Sequence, residues 1–198
     1  RVVVGIQRRC DVLWIKQGWT EECSLIWKAF RENVVSFYSI ERSSAREARH
    51  FLVIYVSRKH ATHRRLANED EFVASLLSVA QRANETRASK FGTPPTTIDF
   101  EVVFLENLDL EAQVNTWHAA DVVVMTAGAA MHMSCFMRDG TQLIVVAHRM
   151  VQRMIPPWVE THLIQPPEGV GYNAAEWIVD TDVVVGVLER SLVSFVEI

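Results

Sequence analysis

The sequence predicts an α/β fold in which helices cover both faces of a parallel sheet. Three observations support this prediction. Continuously apolar runs such as residues 51–56 (FLVIYV) and 142–147 (QLIVVA) are typical of strands that are buried on both faces. Segments with apolar residues at helical spacing alternate with these runs. The loops between them are short, and strands that alternate with helices in this way build a parallel sheet.

The predicted elements follow one another along the whole chain. Strands are expected at residues 2–6, 12–15, 51–56, 100–105, 121–125 and 142–147, and helices at residues 24–38, from a cap at Asn68 to about residue 84, at 110–120 and at 182–196. Glu21 and Glu22 complement the dipole of the first helix. Asn68 and Glu71 have the spacing of a capping box, and prolines mark residues 155–169 as irregular. No internal repeat interrupts the pattern.

The chain of 198 residues is long enough for one domain with a real core. Its charged connector at residues 41–50 is the best candidate for a domain edge or a surface loop. We therefore divide the chain into an N-terminal extension with a crossover helix, residues 1–50, and a main lobe, residues 51–198. The chain starts at Arg1 without an initiator methionine, so we expect it to be processed or truncated.

Composition excludes several classes of protein. The formal net charge of -4 argues against a general nucleic-acid binder, and no apolar run is long enough to span a bilayer. The three cysteines are far apart and predict neither a disulfide framework nor a Cys-x-x-Cys zinc site, so they leave the redox compartment open. The common dinucleotide, phosphate-loop and zinc-protease motifs are missing, and Asp180 and Asp182 are better explained as helix caps than as metal ligands.

Two loops carry the most informative chemistry. The cationic loop, with Arg58, Lys59, Arg64 and Arg65, follows the strand at 51–56, and the small-residue turn at residues 126–130 (Thr-Ala-Gly-Ala-Ala) follows the strand at 121–125.

The carboxyl ends of parallel strands meet at one edge, so these loops are expected to converge on one crevice. Met131, Cys135 and Phe136 recur at helical spacing and predict a helix after the turn. Arginines and a helix N-terminus suit a diphosphate. The plain alternatives are a solvated basic face and a glycine, Gly128, that only permits a turn.

Five stretches, in order, resemble the C-terminal half of glycosyltransferase family 61. They are the helix with Phe30 and Arg31, the strand that ends in YVSRKH, the segment RRLANEDE, the segment VVFLENLDLEAQV and the block DVVVMTAGAAMHMSCFMRDGTQLIVV. The resemblance covers roughly residues 24 to 185. It implies a Rossmann-like lobe of a two-lobed enzyme of the GT-B type, which binds a nucleotide sugar, often a UDP-sugar, usually without a metal or another cofactor.

Carried over to this sequence, the resemblance implies specific roles. Arg58 and either Arg64 or Arg65 would face the diphosphate, and Gly128 and Ala129, following Thr126, would form the phosphate-facing turn. Glu106 and Gln113 also match the family pattern, with Gln113 expected to support the fold from within a helix.

The sequence departs from the family at the centre of the motif. Ala127 stands where the family has histidine, Met125 and Thr126 replace a Gly-Pro pair, Ala130 replaces a glycine, and His132 lies one helical turn further on. The roughly 23 residues before the first matching helix are also too few for an N-terminal lobe. No residue is identified as the catalytic base.

Two functions follow. One is the nucleotide-sugar-binding lobe of a glycosyltransferase whose other lobe lies outside this chain. The other is a degenerate relative that serves as a structural subunit among protein partners. The resemblance suggests the secretory pathway of a eukaryote, with a processed organellar chain as the alternative.

Overall fold

A computed structural model describes residues 19–40, 50–91, 97–166, 168–169, 171 and 174–196. Its centre is an all-parallel, five-stranded sheet with the order β3-β1-β4-β5-β6, made of β1 His50–Val56, β3 Thr97–Val103, β4 Val122–Thr126, β5 Gln142–Val146 and β6 Glu160–Ile164. A separate two-stranded parallel sheet pairs β2 Arg65–Leu66 with β7 Glu176–Trp177. The predicted α/β class with a parallel, Rossmann-like sheet is therefore confirmed.

The helices are α1 Glu21–Phe37, α2 Glu69–Phe91, α3 Leu110–Ala119 and α4 Thr181–Val196. Three 3₁₀ segments add Leu105–Asn107, Ala129–Phe136 and Arg149–Met154. Helix α2 connects β1 to β3 in one direction, and α3 connects β3 back past β1 to β4 in the other. Because such crossovers are right-handed, α2 and α3 must cover opposite faces of the sheet. Helix α4 packs against α2.

The core lies in the three central strands. Residues 53–54 of β1, 122–124 of β4 and 143–145 of β5 are completely buried. These strands are rich in valine and isoleucine, whose branched side chains fit a pleated sheet that is covered on both faces. The strand order reverses between β1 and β4, because the chain leaves β1 for β3 and returns to the other side of β1. This reversal makes their carboxyl ends the switch point of the sheet.

Several predicted boundaries were wrong. Helix α2 continues to Phe91 instead of ending near residue 84. The region at 155–169, predicted to be irregular, contains edge strand β6, in which three of the five residues are half-buried. The side chain of Asn68 was predicted to cap α2, but it bonds to Val179 and Thr181 in the segment that leads into α4. Tertiary partners have replaced the local ones in this last case.

Helix α1 is tied to the lobe by a buried arginine. Its N-cap Thr20 accepts a hydrogen bond from the amide of Cys23 at 3.2 Å. Arg31 is only 6% exposed and donates to the carbonyl of Met137 at 2.7 Å and to Asp139 Oδ1 at 2.9 Å, while its guanidinium lies 5.5 Å from the Trp158 ring centroid. Such charge-assisted contacts fix the helix against the lobe.

The cysteines behave differently from one another. Cys23 takes part in a disulfide, whereas Cys135 is a free thiol in the core. The sequence did not predict this disulfide, because spacing along a chain does not report distance through space. Burial raises the pKa of Cys135 to about 12.

The predicted strands at residues 2–6 and 12–15, and nearly all of the connector at 41–50, lie outside the described residues. Among the residues that the structure describes, no helix is both long enough and apolar enough to cross a membrane.

Candidate functional site

The carboxyl ends of β1 and β4 lie side by side, with Val56 opposite Met125. Each strand extends its ladder by one more hydrogen bond: the amide of Ser57 donates to the carbonyl of Val103, and the amide of Ala127 donates to that of Val146, both at 2.9 Å. The cationic loop and the small-residue turn therefore start from neighbouring points. This is the position at which parallel α/β sheets bind ligands.

Arg58 lies directly on Gly128. A Cβ atom added to Gly128 would be 1.9 Å from Nη1 of Arg58 and 2.8 Å from its Cζ. The φ and ψ of Gly128, -178° and -175°, are extended and open to any residue. The glycine is therefore needed for the close approach of the guanidinium and not for the backbone conformation. The Nη2 group of Arg58 donates to the carbonyl of His63 at 3.0 Å.

Thr126 forms a hydrogen bond to the backbone of the cationic loop. Its Oγ1 donates to the carbonyl of Arg64 at 3.2 Å, and the residue is 1% exposed. Arg64 adopts a positive φ of 59°, and its amide donates to the carbonyl of Ala174 at 2.9 Å. The Thr126 hydroxyl thus stabilises the backbone of the loop at Arg64, a residue whose conformation is uncommon for a side chain other than glycine.

Arg65 points elsewhere. Its Nη2 donates to Glu176 Oε1 at 2.8 Å, on the exposed side of the small β2–β7 sheet. Lys59 forms a similar exposed pair with Asp70 at 3.1 Å. The structure therefore brings Arg58 against the turn, whereas the side chains of Arg65 and Lys59 pair with acids around the start of α2 and β7.

The turn itself leads into a 3₁₀ segment, Ala129–Phe136, and the expected α-helix does not form. The i+3 bonds are reinforced by Ser134, whose hydroxyl donates to the carbonyl of Met131 at 2.6 Å. The amide of Ala127 is taken by β5, while Ala129 is exposed and Ala130 is half-buried. Because a 3₁₀ segment also leaves its first amides without intrahelical partners, an anion at this turn would be met by residues 129 and 130.

A buried carboxylate lies beneath the cationic loop. Glu69 is 7% exposed, and its Oε1 accepts hydrogen bonds from the Tyr55 hydroxyl at 2.9 Å and from Ser57 Oγ at 2.6 Å. Burial, and next the charge of Glu69, raise the pKa of Tyr55, so its hydroxyl remains a donor. No motif in the sequence marks Glu69 as a buried residue. The available signal was Tyr55, since a phenol inside an apolar strand needs a buried polar partner.

The other candidates have local roles. Asp180 caps α4, as predicted, by accepting from the amides of Asp182 at 3.1 Å and Val183 at 3.3 Å. Gln113 donates to the carbonyls of Leu105 and Leu108 and so supports the loop before α3. Over the described ranges, no group of three or more His, Cys, Asp or Glu side chains could hold a metal ion. Glu106 and His132 are exposed.

Comparison with known proteins gives one family. The family described as Glycosyltransferase 61 matches residues 21–144, more than half of the chain, and this range includes both Arg58 and Gly128. No curated protein matches the chain significantly. The matched range runs from α1 through the first part of β5, and its parallel α/β fold agrees with the resemblance seen in the sequence. The chain therefore belongs to glycosyltransferase family 61.

Proposed function

We propose that this lobe binds the diphosphate of a nucleotide sugar in the crevice between β1 and β4, as the donor-binding part of a glycosyltransferase. One observation carries the proposal: the guanidinium of Arg58 lies against Gly128 at the switch point of the sheet. A guanidinium offers paired N–H donors to phosphate oxygens, and the amides at the start of the 3₁₀ segment add further donors. Membership of the family supports a glycosyltransferase-like role.

The chemistry expected of such a site is displacement at the anomeric carbon. An acceptor hydroxyl forms the new bond to this carbon and gives up its proton to a base, while the bond to the diphosphate breaks and leaves its electron pair on the leaving oxygen. Arg58 is half-buried, so its charge is less screened than that of an exposed cation and stabilises the negative charge that develops on the leaving group. The catalytic base is not assigned to any residue of this chain.

The rival function is that of a structural subunit that has lost catalysis. A specific observation favours it: Ala127, which stands where the resemblance places a histidine, is completely buried and is followed by the buried Gly128. Removing a hydrogen-bonding side chain from a polar site commonly costs a few kcal/mol, about 1–3. A structural subunit of this kind would have lost nucleotide binding as well as turnover.

The disulfide of Cys23 bears on location. Disulfides persist in oxidising compartments, so we propose the secretory pathway over a reducing one. Cys23 should resist alkylation in protein isolated from its source under non-reducing conditions. Alkylation of this thiol without prior reduction would contradict the proposed location.

Thermal denaturation with added nucleotides tests the proposed binding. UDP at about ten times its Kd should stabilise the folded chain by about 1.4 kcal/mol and raise the Tm by roughly 3–6 °C for a chain of this size. Arg58→Ala should remove this increase because it removes the guanidinium at Gly128. Arg65→Ala is the matched control, since that guanidinium pairs with Glu176, and it should retain the increase.

Two results would count against the proposal. If UDP, GDP, ADP and CDP at millimolar concentration all leave the Tm unchanged, the nucleotide-binding function is wrong. If Arg65→Ala removes the increase and Arg58→Ala does not, the site has been placed on the wrong arginine. A structural subunit predicts the first of these results together with stoichiometric copurification of protein partners.

A further inference from the structure

The carboxylate of Glu69, which is buried beneath the cationic loop, carries a desolvation cost. Glu69 is 7% exposed, and removing a charged group from water costs free energy unless hydrogen bonds replace the lost hydration. Two hydroxyl groups, those of Tyr55 and Ser57, converge on a single oxygen of Glu69. Glu69 is also the first residue of α2, where the helix dipole favours a negative charge. The buried carboxylate of Glu69 is therefore compensated by two hydrogen bonds and by the helix dipole.

The network leads directly to Arg58. Ser57 Oγ donates a hydrogen bond to Glu69 Oε1 at 2.6 Å and accepts one from the amide of Lys59 at 3.1 Å. The amide of Ser57 is fixed in turn by the carbonyl of Val103 at 2.9 Å. Arg58 thus lies between two residues whose positions depend on one hydroxyl, and that hydroxyl is oriented by Glu69.

We propose that Glu69 and Ser57 are positioning residues that hold the Arg58 guanidinium over Gly128. This inference rests on the proposed function for the nature of the ligand, a nucleoside diphosphate. Glu69 acts through the Ser57 hydroxyl, which sets the course of the backbone on both sides of Arg58. The carbonyl of Arg58 accepts from the amide of Ala61 at 2.9 Å, which completes the turn that the hydroxyl starts.

Tyr55 provides the matched control. Its hydroxyl bonds to the same oxygen of Glu69 as Ser57 Oγ does, but the contact does not continue to the amide of Lys59. Ser57→Ala and Tyr55→Phe therefore each remove one hydroxyl from the same carboxylate, and only the first breaks the connection to Arg58. Both variants should lower the Tm. The Kd for UDP should rise about ten-fold or more in Ser57→Ala and stay within about two-fold in Tyr55→Phe, because displacement of a binding group by about 1 Å is costly.

A measurement without nucleotide tests the geometry itself. NMR of the 198-residue chain should show nuclear Overhauser effects between the Arg58 side chain and the α-protons of Gly128. These should weaken in Ser57→Ala and persist in Tyr55→Phe. Ser57→Thr keeps the hydroxyl and should restore both the contact and the affinity. If Ser57→Ala does not fold, the isosteric Glu69→Gln takes its place in the comparison with Tyr55→Phe.

The possible results separate the two ideas. If wild type binds UDP and Ser57→Ala binds it equally well, the positioning role is overturned and the binding function stands. If both hydroxyl deletions weaken UDP binding equally, the network is only structural and the positioning role is again overturned. If wild type binds no nucleoside diphosphate, the proposed function fails. The positioning role is then decided by whether the Arg58 to Gly128 contact survives in Ser57→Ala.

Discussion

Substituting Gly128 with alanine would separate the effect on folding stability from the effect on ligand binding. The added Cβ would lie 1.9 Å from Nη1 of Arg58, so the guanidinium would have to retreat to the 3.4 Å or more of ordinary van der Waals contact. The atoms that must move belong to the far end of a flexible side chain, and the extended φ and ψ of Gly128 are open to alanine. We therefore expect the fold to tolerate the change.

The stability of Gly128→Ala should stay within about 1 kcal/mol of wild type. Alanine restricts the unfolded chain and gains about 0.4–1 kcal/mol, which offsets the cost of moving one partly exposed side chain. Binding should respond differently, because a displacement of this size commonly costs about a hundred-fold when it affects a positioned group. Urea denaturation measures the first quantity, and isothermal titration with UDP measures the second.

Gly186→Ala is the control for this experiment. Gly186 lies within α4, and a Cβ there would be 3.6 Å from Nη1 of Arg190, which is an ordinary contact with an arginine. The variant should gain about 0.5–1 kcal/mol of stability from helix propensity and bind UDP as wild type does. Undiminished UDP binding by Gly128→Ala would refute the assignment of the diphosphate to Arg58 and Gly128. Loss of its folded state would refute the reasoning about the flexible side chain.

Further predictions concern the fold. Arg31→Ala should lower the free energy of unfolding by about 2–3 kcal/mol in urea titrations, because the carbonyl of Met137 loses a charged donor. Burial lowers the pKa of His118 below the ordinary histidine value of 6.5. The stability that neutral His118 contributes is therefore fully present above pH 6.5 and is lost as the pH falls below this value. His118→Gln should flatten this decline in urea midpoints measured from about pH 7.5 to 5. Cys135, with its raised pKa, should react with iodoacetamide at pH 8 only after unfolding, as followed by peptide mass mapping.

The parts of the fold that could be predicted are those with their own local signature. Strands β1, β4 and β5 are continuous apolar runs, since they are buried on both faces, and their parallel pairing places the loops after β1 and β4 at one edge. The meeting of Arg58 with Gly128 follows from this topology. The single arginine that makes the contact could not be identified, because Arg58, Arg64 and Arg65 have similar local sequence environments.

The parts that could not be predicted depend on distant partners. Strands β2 and β7 have two residues each and therefore no periodicity that a sequence pattern could reveal. Glu69 looks like an ordinary acid in the first turn of a helix, and its burial becomes evident only when β1 places Tyr55 and Ser57 above it. The 3₁₀ segment has the apolar spacing of an α-helix, and it packs against both α1 and α3, which are contacts that local spacing does not report.

The small β2–β7 sheet sets the minimum length of a working fragment. The amides of Arg64, Arg65 and Ala67 donate to the carbonyls of Ala174, Ala175 and Trp177, about thirty residues beyond the family match at 21–144. The second half of the loop that carries Arg58 is thus braced by a part of the chain that lies outside the matched range. A fragment trimmed to the matched range would keep the arginine and the glycine but lose this brace, together with the end of β5 and all of β6 and α4. Deletion studies should therefore retain residues through the end of α4.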